Sequence, residues 1–187
     1  GLGEIPISIS GDPADPERGY AVTHERSGAW RRSTKDARTI TADQVTPATA
    51  SVVRAALDLY RCAAFDLSAA CSGFVYGLVV ARGLMATGMR RILLIGAETM
   101  SRIVDWDDRE TAVLFGDGAG AVVLEAADGP ETLLGHDLGG DGAAAPLLWA
   151  DRGDVLHMDG REVYRRAVRA MVESSTAALD HAGLTPA

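Results

Sequence analysis

The sequence predicts an α/β protein built on a parallel sheet, and three observations carry that prediction. Two short apolar runs, Ala63–Leu67 and Ile92–Ala97, bracket a stretch of helical length; strand, helix, strand at this spacing forms a parallel βαβ unit. The stretch between them, from Ser72 to about Thr87, carries one charge, Arg82, and a helix apolar on nearly all sides is a buried one. Its end is punctuated as a helix end: Gly88 follows, and Arg90 and Arg91 lie past the negative end of the dipole.

Composition bounds the answer. A chain of 187 residues is one domain or a large fragment of something bigger, and 47% hydrophobic residues can bury a sizeable core. A net charge of -8 argues against a general nucleic-acid or anionic-membrane binder. The two cysteines, Cys62 and Cys71, are too few for a disulfide scaffold and point to a reducing cytoplasm. No uncharged apolar run is long enough to span a bilayer, and no signal peptide is recognisable.

Taken in order, Ile5–Ser10 alternates like a strand, and Pro6 places it at an edge. Gly11–Pro16 is a turn or link. Glu25–Arg32 is a basic patch around Gly28, on its residues alone a solvated loop. Val45 to Leu59 reads as a helix with Pro47 in its first turn and Val52, Val53, Ala56 and Leu57 on one face. Cys62 precedes the Ala63 strand, away from any helix terminus, and reads as a buried or half-buried thiol without a role.

Cys71 is different. It lies at a carboxyl strand end and at the start of the Ser72 helix, where unpaired N–H groups and a partial positive charge favour thiolate over thiol. Ala69, Ala70, Ser72 and Gly73 leave room for a substrate. Position alone leaves two readings open, a reactive nucleophile and a small buried hydrophobe.

Glu98–Ser101 ends the second strand at the sheet edge where open α/β sheets bind ligands. Asp105–Arg109 is a charged loop. Thr111–Phe115 and Ala119–Glu125 read as two strands joined by Gly116-Asp117-Gly118. No Lys-Ser/Thr and no helix follow these glycines, so close backbone approach beside the cysteine explains them better than a phosphate loop. Asp128-Gly129-Pro130 is a turn, Leu133–Leu138 a strand, and Gly139 to Arg152 a loop. His136 and His157 lack a carboxylate, a Cys or a second His at metal spacing. Asp159 is a plausible N-cap for a helix over Arg161–Ala182, with Val163, Ala167, Met171, Ala178 and Ala182 in period and Gly183 to Pro186 ending it. Arg161, Arg165, Arg166 and Arg169 make one side of that helix basic.

The run Phe65-Asp66-Leu67-Ser68-Ala69-Ala70-Cys71-Ser72-Gly73-Phe74 closely resembles the nucleophile motif of the β-ketoacyl-acyl-carrier-protein synthase III family. Asp108 to Leu124 resembles that family's Gly-rich hairpin, and His157 to Tyr164 its next helix entry, in the same order. The resemblance is good from about Val45 to Pro186. It implies a thiolase-like layered α/β/α fold, mostly the first, nucleophile-bearing half with the start of the second. Residues 1–44 would be an N-terminal segment with a coenzyme A-contacting loop, and 45–187 the thiolase-like core.

The resemblance also implies roles. Cys71 would be the catalytic nucleophile. Arg26 and Arg109 would contact coenzyme A, Phe115 would wall the acyl pocket and Met158 would join the substrate-binding set. Arg165 and Arg166 would dock an acidic carrier. The reaction would transfer an acyl group from acyl-CoA through a cysteine thioester to malonyl-acyl-carrier protein with decarboxylation. Acyl-CoA would enter as a substrate, with no separate cofactor and no metal. Partners would be acyl-CoA, acyl carrier protein and a second copy in a cytoplasmic homodimer, with neither nucleic acid nor membrane.

Three departures qualify this. The tryptophan often stacked on adenine upstream of the basic segment is absent, Val22 falling about there. About thirty residues, roughly a helix and a core strand, are missing before Thr46-Pro47. The family's His and Asn, which stabilise the decarboxylating enolate, lie beyond Ala187, so the reading is of a partial chain. Two rivals stay open: an acyltransferase of the same fold that acylates an alcohol or amine without condensation, and a non-catalytic fragment.

Overall fold

The computed structural model describes residues 19–24, 46–59, 62–151 and 153–186. The Ile5–Ser10 strand and the Glu25–Arg32 patch, Arg26 included, lie outside them. The chain divides into two compact units, one within Gly1–Arg102 and Gly116–Ala126, the other within Ile103–Phe115 and Ala127–Ala187.

The first unit is a four-stranded sheet in the order β2-β1-β3-β4, with β1 at Gly19–His24, β2 at Ala63–Leu67, β3 at Arg91–Thr99 and β4 at Asp117–Glu125. β1 runs parallel to both β2 and β3, and β4 is antiparallel to β3. The parallel strand–helix–strand expected from sequence is present, but β2 and β3 are not neighbours. β1 lies between them and pairs with both, Tyr20 opposite Ala63 on one side and Ile92 on the other. The segment before residue 45, expected to supply a binding loop, therefore also supplies the inner strand of the sheet.

Alternation along β3 sorts the two faces. Ile92 and Leu94 point to α2 (Gly73–Ala86) and cluster with Ala81, Phe65, Leu67 and Leu78. Leu93, Ile95 and Ala97 point the other way, to Val53 and Leu57 at α1 (Thr49–Ala56). Helix, sheet and helix make an α/β/α sandwich. Ile92 and Leu94 are wholly buried, and each such side chain contributes about 1.5–3 kcal/mol. Asp66, on the α1 face of β2, accepts hydrogen bonds from the Thr49 and Ala50 amides at 2.7 and 2.8 Å. It satisfies two orphan donors that α1 has no cap of its own to reach. Gly77 is dictated by packing, since a Cβ there would stand 2.6 Å from Leu94 Cδ1. Gly88, at φ +101°, ends α2 as expected.

Several expectations are corrected. α2 is not buried all round: Gly73, Gly77 and Ala81 form its packed stripe, while Phe74 and Val75 are exposed. On α1, Val53 and Leu57 pack and Val52 is exposed. Thr111–Phe115 is not a strand. Asp108 caps α3 (Arg109–Ala112) by accepting from the Glu110 amide at 3.0 Å, and Thr111 is buried inside that turn. There is thus no two-stranded hairpin; β4 pairs with β3 instead. Among the described residues a Cβ at Gly116, Gly118 or Gly120 would meet nothing within 4 Å.

The second unit holds α3, α4 (Gly160–His181) and a two-stranded ribbon of β5 (Leu148–Trp149) and β6 (His157–Met158). A 3₁₀ helix over Gly142–Leu147 and β5 replace the loop expected after Gly139. Leu133–Leu138 pairs with no strand among the described residues. Gly135 presses on α4, where a Cβ would collide with the Ala178 carbonyl, and His181 Nδ1 lies 2.9 Å from the His136 carbonyl. Asp159 caps α4 as anticipated, accepting from the Glu162 amide at 3.1 Å. Met171, expected on the packed face of α4, is exposed. No helix among the described residues is long and apolar enough to cross a membrane.

Candidate active site

The first unit presents a thiol at the carboxyl edge of its parallel strands. β2 ends at Leu67 and the chain reverses through Ser68 and Ala69 into a 3₁₀ turn, Ala70–Ser72, that runs directly into α2. Ala70 holds φ at +45°, a left-handed conformation that costs a residue with a Cβ about 1–2 kcal/mol. Strain of this kind persists where the surroundings impose it. Here the buried start of α2 at Gly73 and the pairing of β2 fix both ends of the turn. Cys71 sits at the middle of the turn with its thiol exposed. It therefore stands one 3₁₀ turn before the α-helix, where unpaired amides of the helix start collect.

The same edge is closed on its other side by a fixed pair. Ser101 donates from its amide to Asp117 Oδ1 at 2.8 Å and from its hydroxyl to Oδ2 at 2.7 Å. This locks the exit of β3 to the entrance of β4.

Cys62 offers the contrast. Its half-buried Sγ donates to the Leu59 carbonyl at 3.2 Å, and Arg54 Nη1 donates to the Cys62 carbonyl at 2.9 Å. Burial pushes the Cys62 thiol up, with the Arg54 charge acting weakly the other way. A protonated, hydrogen-bonded thiol is a poor nucleophile, in keeping with the role-less reading of Cys62.

In the second unit a cleft of about 420 Å³ is lined by Asp105, Asp108, Trp149, His157, Met158 and Asp159, among others. Met158, one of the expected substrate residues, is thus on a cavity wall. Arg109 follows a lining residue, is exposed, and pairs with neither Asp107 nor Asp108 among the described residues. Phe115 is half-buried in the same unit. Trp149 stacks on His157 across the ribbon, ring centres 4.2 Å apart and planes at 23°. His157 Nε2 lies 3.4 Å from Asp154 Oδ2, and the His136 and His181 rings are 6.5 Å apart. Among the described residues no group of three or more His, Cys, Asp or Glu is placed to hold a metal.

On α4, Arg165 and Arg166 are both engaged by one carboxylate. Arg165 donates to Glu162 through Nε at 3.0 Å and Nη2 at 2.9 Å, and Arg166 Nε donates to Glu162 Oε1 at 2.8 Å. Arg166 Nη1 reaches Asp141 Oδ2 at 3.0 Å. The bonds from Arg165 first, then Arg166, draw the Glu162 carboxyl down to about 2. Sequence reasoning named the two arginines and missed Glu162, although its spacing of three and four residues is the one that pairs side chains on a helix. It also missed Trp149, for which a loop reading offered no signal.

Comparison with known proteins bears on this geometry. Residues 65–142 match the family described as 3-oxoacyl-[acyl-carrier-protein (ACP)] synthase III. A β-ketoacyl-[acyl-carrier-protein] synthase III from Cereibacter sphaeroides is 50% identical over 161 residues, covering 80% of this chain and 50% of that protein. The crystal structure of 3-oxoacyl-[acyl-carrier-protein] synthase III from Aquifex aeolicus VF5 superimposes with a TM-score of 0.78 at 37% identity, covering 91% of this chain and 51% of that one. The priming β-ketosynthase of the R1128 polyketide biosynthetic pathway gives a TM-score of 0.72 at 30% identity, covering 91% and 51%. The expected thiolase-like α/β architecture is the one these structures share. The chain spans about half the length of the curated relatives it matches.

Proposed function

The chain belongs to the 3-oxoacyl-[acyl-carrier-protein] synthase III family, and we propose that it carries the nucleophile of a decarboxylating acyl condensation, with Cys71 as the acyl acceptor. The observation that supports this most is the strained turn at Ala70, which sets an exposed thiol at the carboxyl edge of a parallel sheet, before the amides of a helix start. The Cys71 thiolate attacks the thioester carbonyl of an acyl-CoA; the carbon–sulfur bond to coenzyme A breaks and free coenzyme A leaves with a proton. Malonyl-acyl-carrier protein then loses carbon dioxide. Its carbanion attacks the Cys71 thioester and releases the thiolate and a 3-oxoacyl carrier. Both steps place negative charge on a thioester oxygen, and the Cys71 amide is the candidate donor to it.

In this reading Arg26 and Arg109 hold coenzyme A, Phe115 and Met158 shape the acyl path, and Arg165 and Arg166 receive the acidic carrier. The cytoplasmic setting, the homodimer and the dependence on acyl-CoA without a further cofactor belong to the same proposal. The reaction is tested by supplying acyl-CoA and carboxyl-labelled malonyl-carrier protein and following carbon dioxide and 3-oxoacyl carrier together. Equal release of both is expected. Acyl transfer to an alcohol or amine with no carbon dioxide would replace condensation by simple acyl transfer. For docking, changing both Arg165 and Arg166 to Glu should reduce turnover with the carrier more than turnover with a small thioester mimic, and equal losses would remove the docking role.

A further inference from the structure

Resting on the docking role of α4, we propose that Glu162 is a built-in competitor for the carrier, masking the arginines that receive it so that docking stays weak enough to release. One carboxylate occupies Nε and Nη2 of Arg165 and Nε of Arg166. Asp141, anchored as the cap of the 3₁₀ helix by its bond to the Ala143 amide, holds a further nitrogen of Arg166. Two cations thus face two anions, and the local charge at the heart of the basic face is near zero. Layering matters as much as the count. The Glu162 side chain is 24% exposed, beneath guanidinium groups exposed by 67% and 51%. A partner's carboxylate or phosphate reaches the arginines from outside, yet finds Nε and Nη2 of Arg165 and Nε and Nη1 of Arg166 already engaged. A guanidinium has five N–H donors in a fixed fork, so an incoming anion must share or displace Glu162 to bind bidentately.

The arrangement suits a partner that delivers one group and leaves. Among the described residues Arg165 is held by Glu162 alone, whereas Arg166 keeps Asp141 if Glu162 is lost, so the two masks are unequal. The test is titration of holo-acyl carrier protein onto the protein at low salt, with dissociation followed by stopped flow. Glu162→Gln retains the shape of the side chain and the amide that Asp159 caps. It should tighten binding about 1.5- to 5-fold, the range for releasing an exposed ion pair, mainly through slower dissociation. Asp141→Asn, which frees a single contact, should tighten it less. Unchanged or weakened binding by Glu162→Gln, while replacement of Arg165 and Arg166 by Glu abolishes binding, would show that Glu162 positions the arginines and overturn the masking. If that double replacement leaves binding unchanged, the docking role itself falls and the masking with it.

Discussion

In the unit built on β1–β4, Ile92 and Leu94 are sealed from solvent and both faces of β3 are covered by helices. In the other unit no residue of its longest helix, α4, is buried, and three aspartates, Asp108, Asp141 and Asp159, cap three helices with their side chains. Carboxylates bind backbone amides in both units, Asp66 and Asp117 in the first among them, but the first unit adds a sealed sheet core, whereas the apolar burial of the second is confined to Ile103, Val104 and Leu156 among the described residues. Each unit should fail in its own way: the first when a core side chain is cut back, the second when its acids are protonated or removed.

The sharpest way to probe the contrast is Leu94→Ala. It leaves a cavity against Gly77 and Ala81 and should destabilise the sheet unit by about 2–5 kcal/mol in chemical denaturation. Asp159→Ala removes the α4 cap and should cost about 1 kcal/mol in the same measurement. A larger loss for the cap than for the core would invert the comparison.

Acid sharpens it further. Glu162 is drawn from an ordinary 4.5 to about 2 by its arginines, Asp108 is lowered by the Thr111 hydroxyl and the Glu110 amide, and Asp154 by the Val155 amide and His157. Depressed carboxyls stabilise the fold above their unfolded values and lose that contribution as pH falls through their folded ones. Amide protection in α3 and α4 should therefore drop between about pH 4 and pH 2, while protection in β3 holds. The smallest effect belongs to Cys62. Its raised thiol stabilises the fold below 9.0 and loses that contribution as pH rises above it. Cys62→Ala should remove a shallow alkaline decline in the thermal midpoint of the sheet unit.

Much of the first unit was legible because its signals are dense. An apolar run, a helix closed by Gly88 and a second apolar run identify β2, α2 and β3 from one stretch of chain. What escaped was the strand order, because β1 lies outside the stretch that reads clearly and nothing local says that Gly19–His24 enters between β2 and β3. The full burial expected of α2 failed because apolar composition says a surface can be covered, not what covers it. In the second unit, Thr111–Phe115 resembles a strand by composition, but Asp108 followed by Glu110 starts a helical turn, a cap signal that outweighed it. The Asp159 cap was legible by the same logic. Trp149 and Glu162 were not, since each acquires meaning only from a partner, His157 across a ribbon and two arginines along a helix.

Which sulfur takes the acyl group decides whether Cys71 is the nucleophile. Incubation with an acyl-CoA, followed by intact mass and peptide mapping, should show one acyl addition, on Cys71 and not on Cys62, and none in a Cys71→Ala protein. Persistence of the adduct in that variant, its location on Cys62, or no addition to the unaltered protein would contradict it.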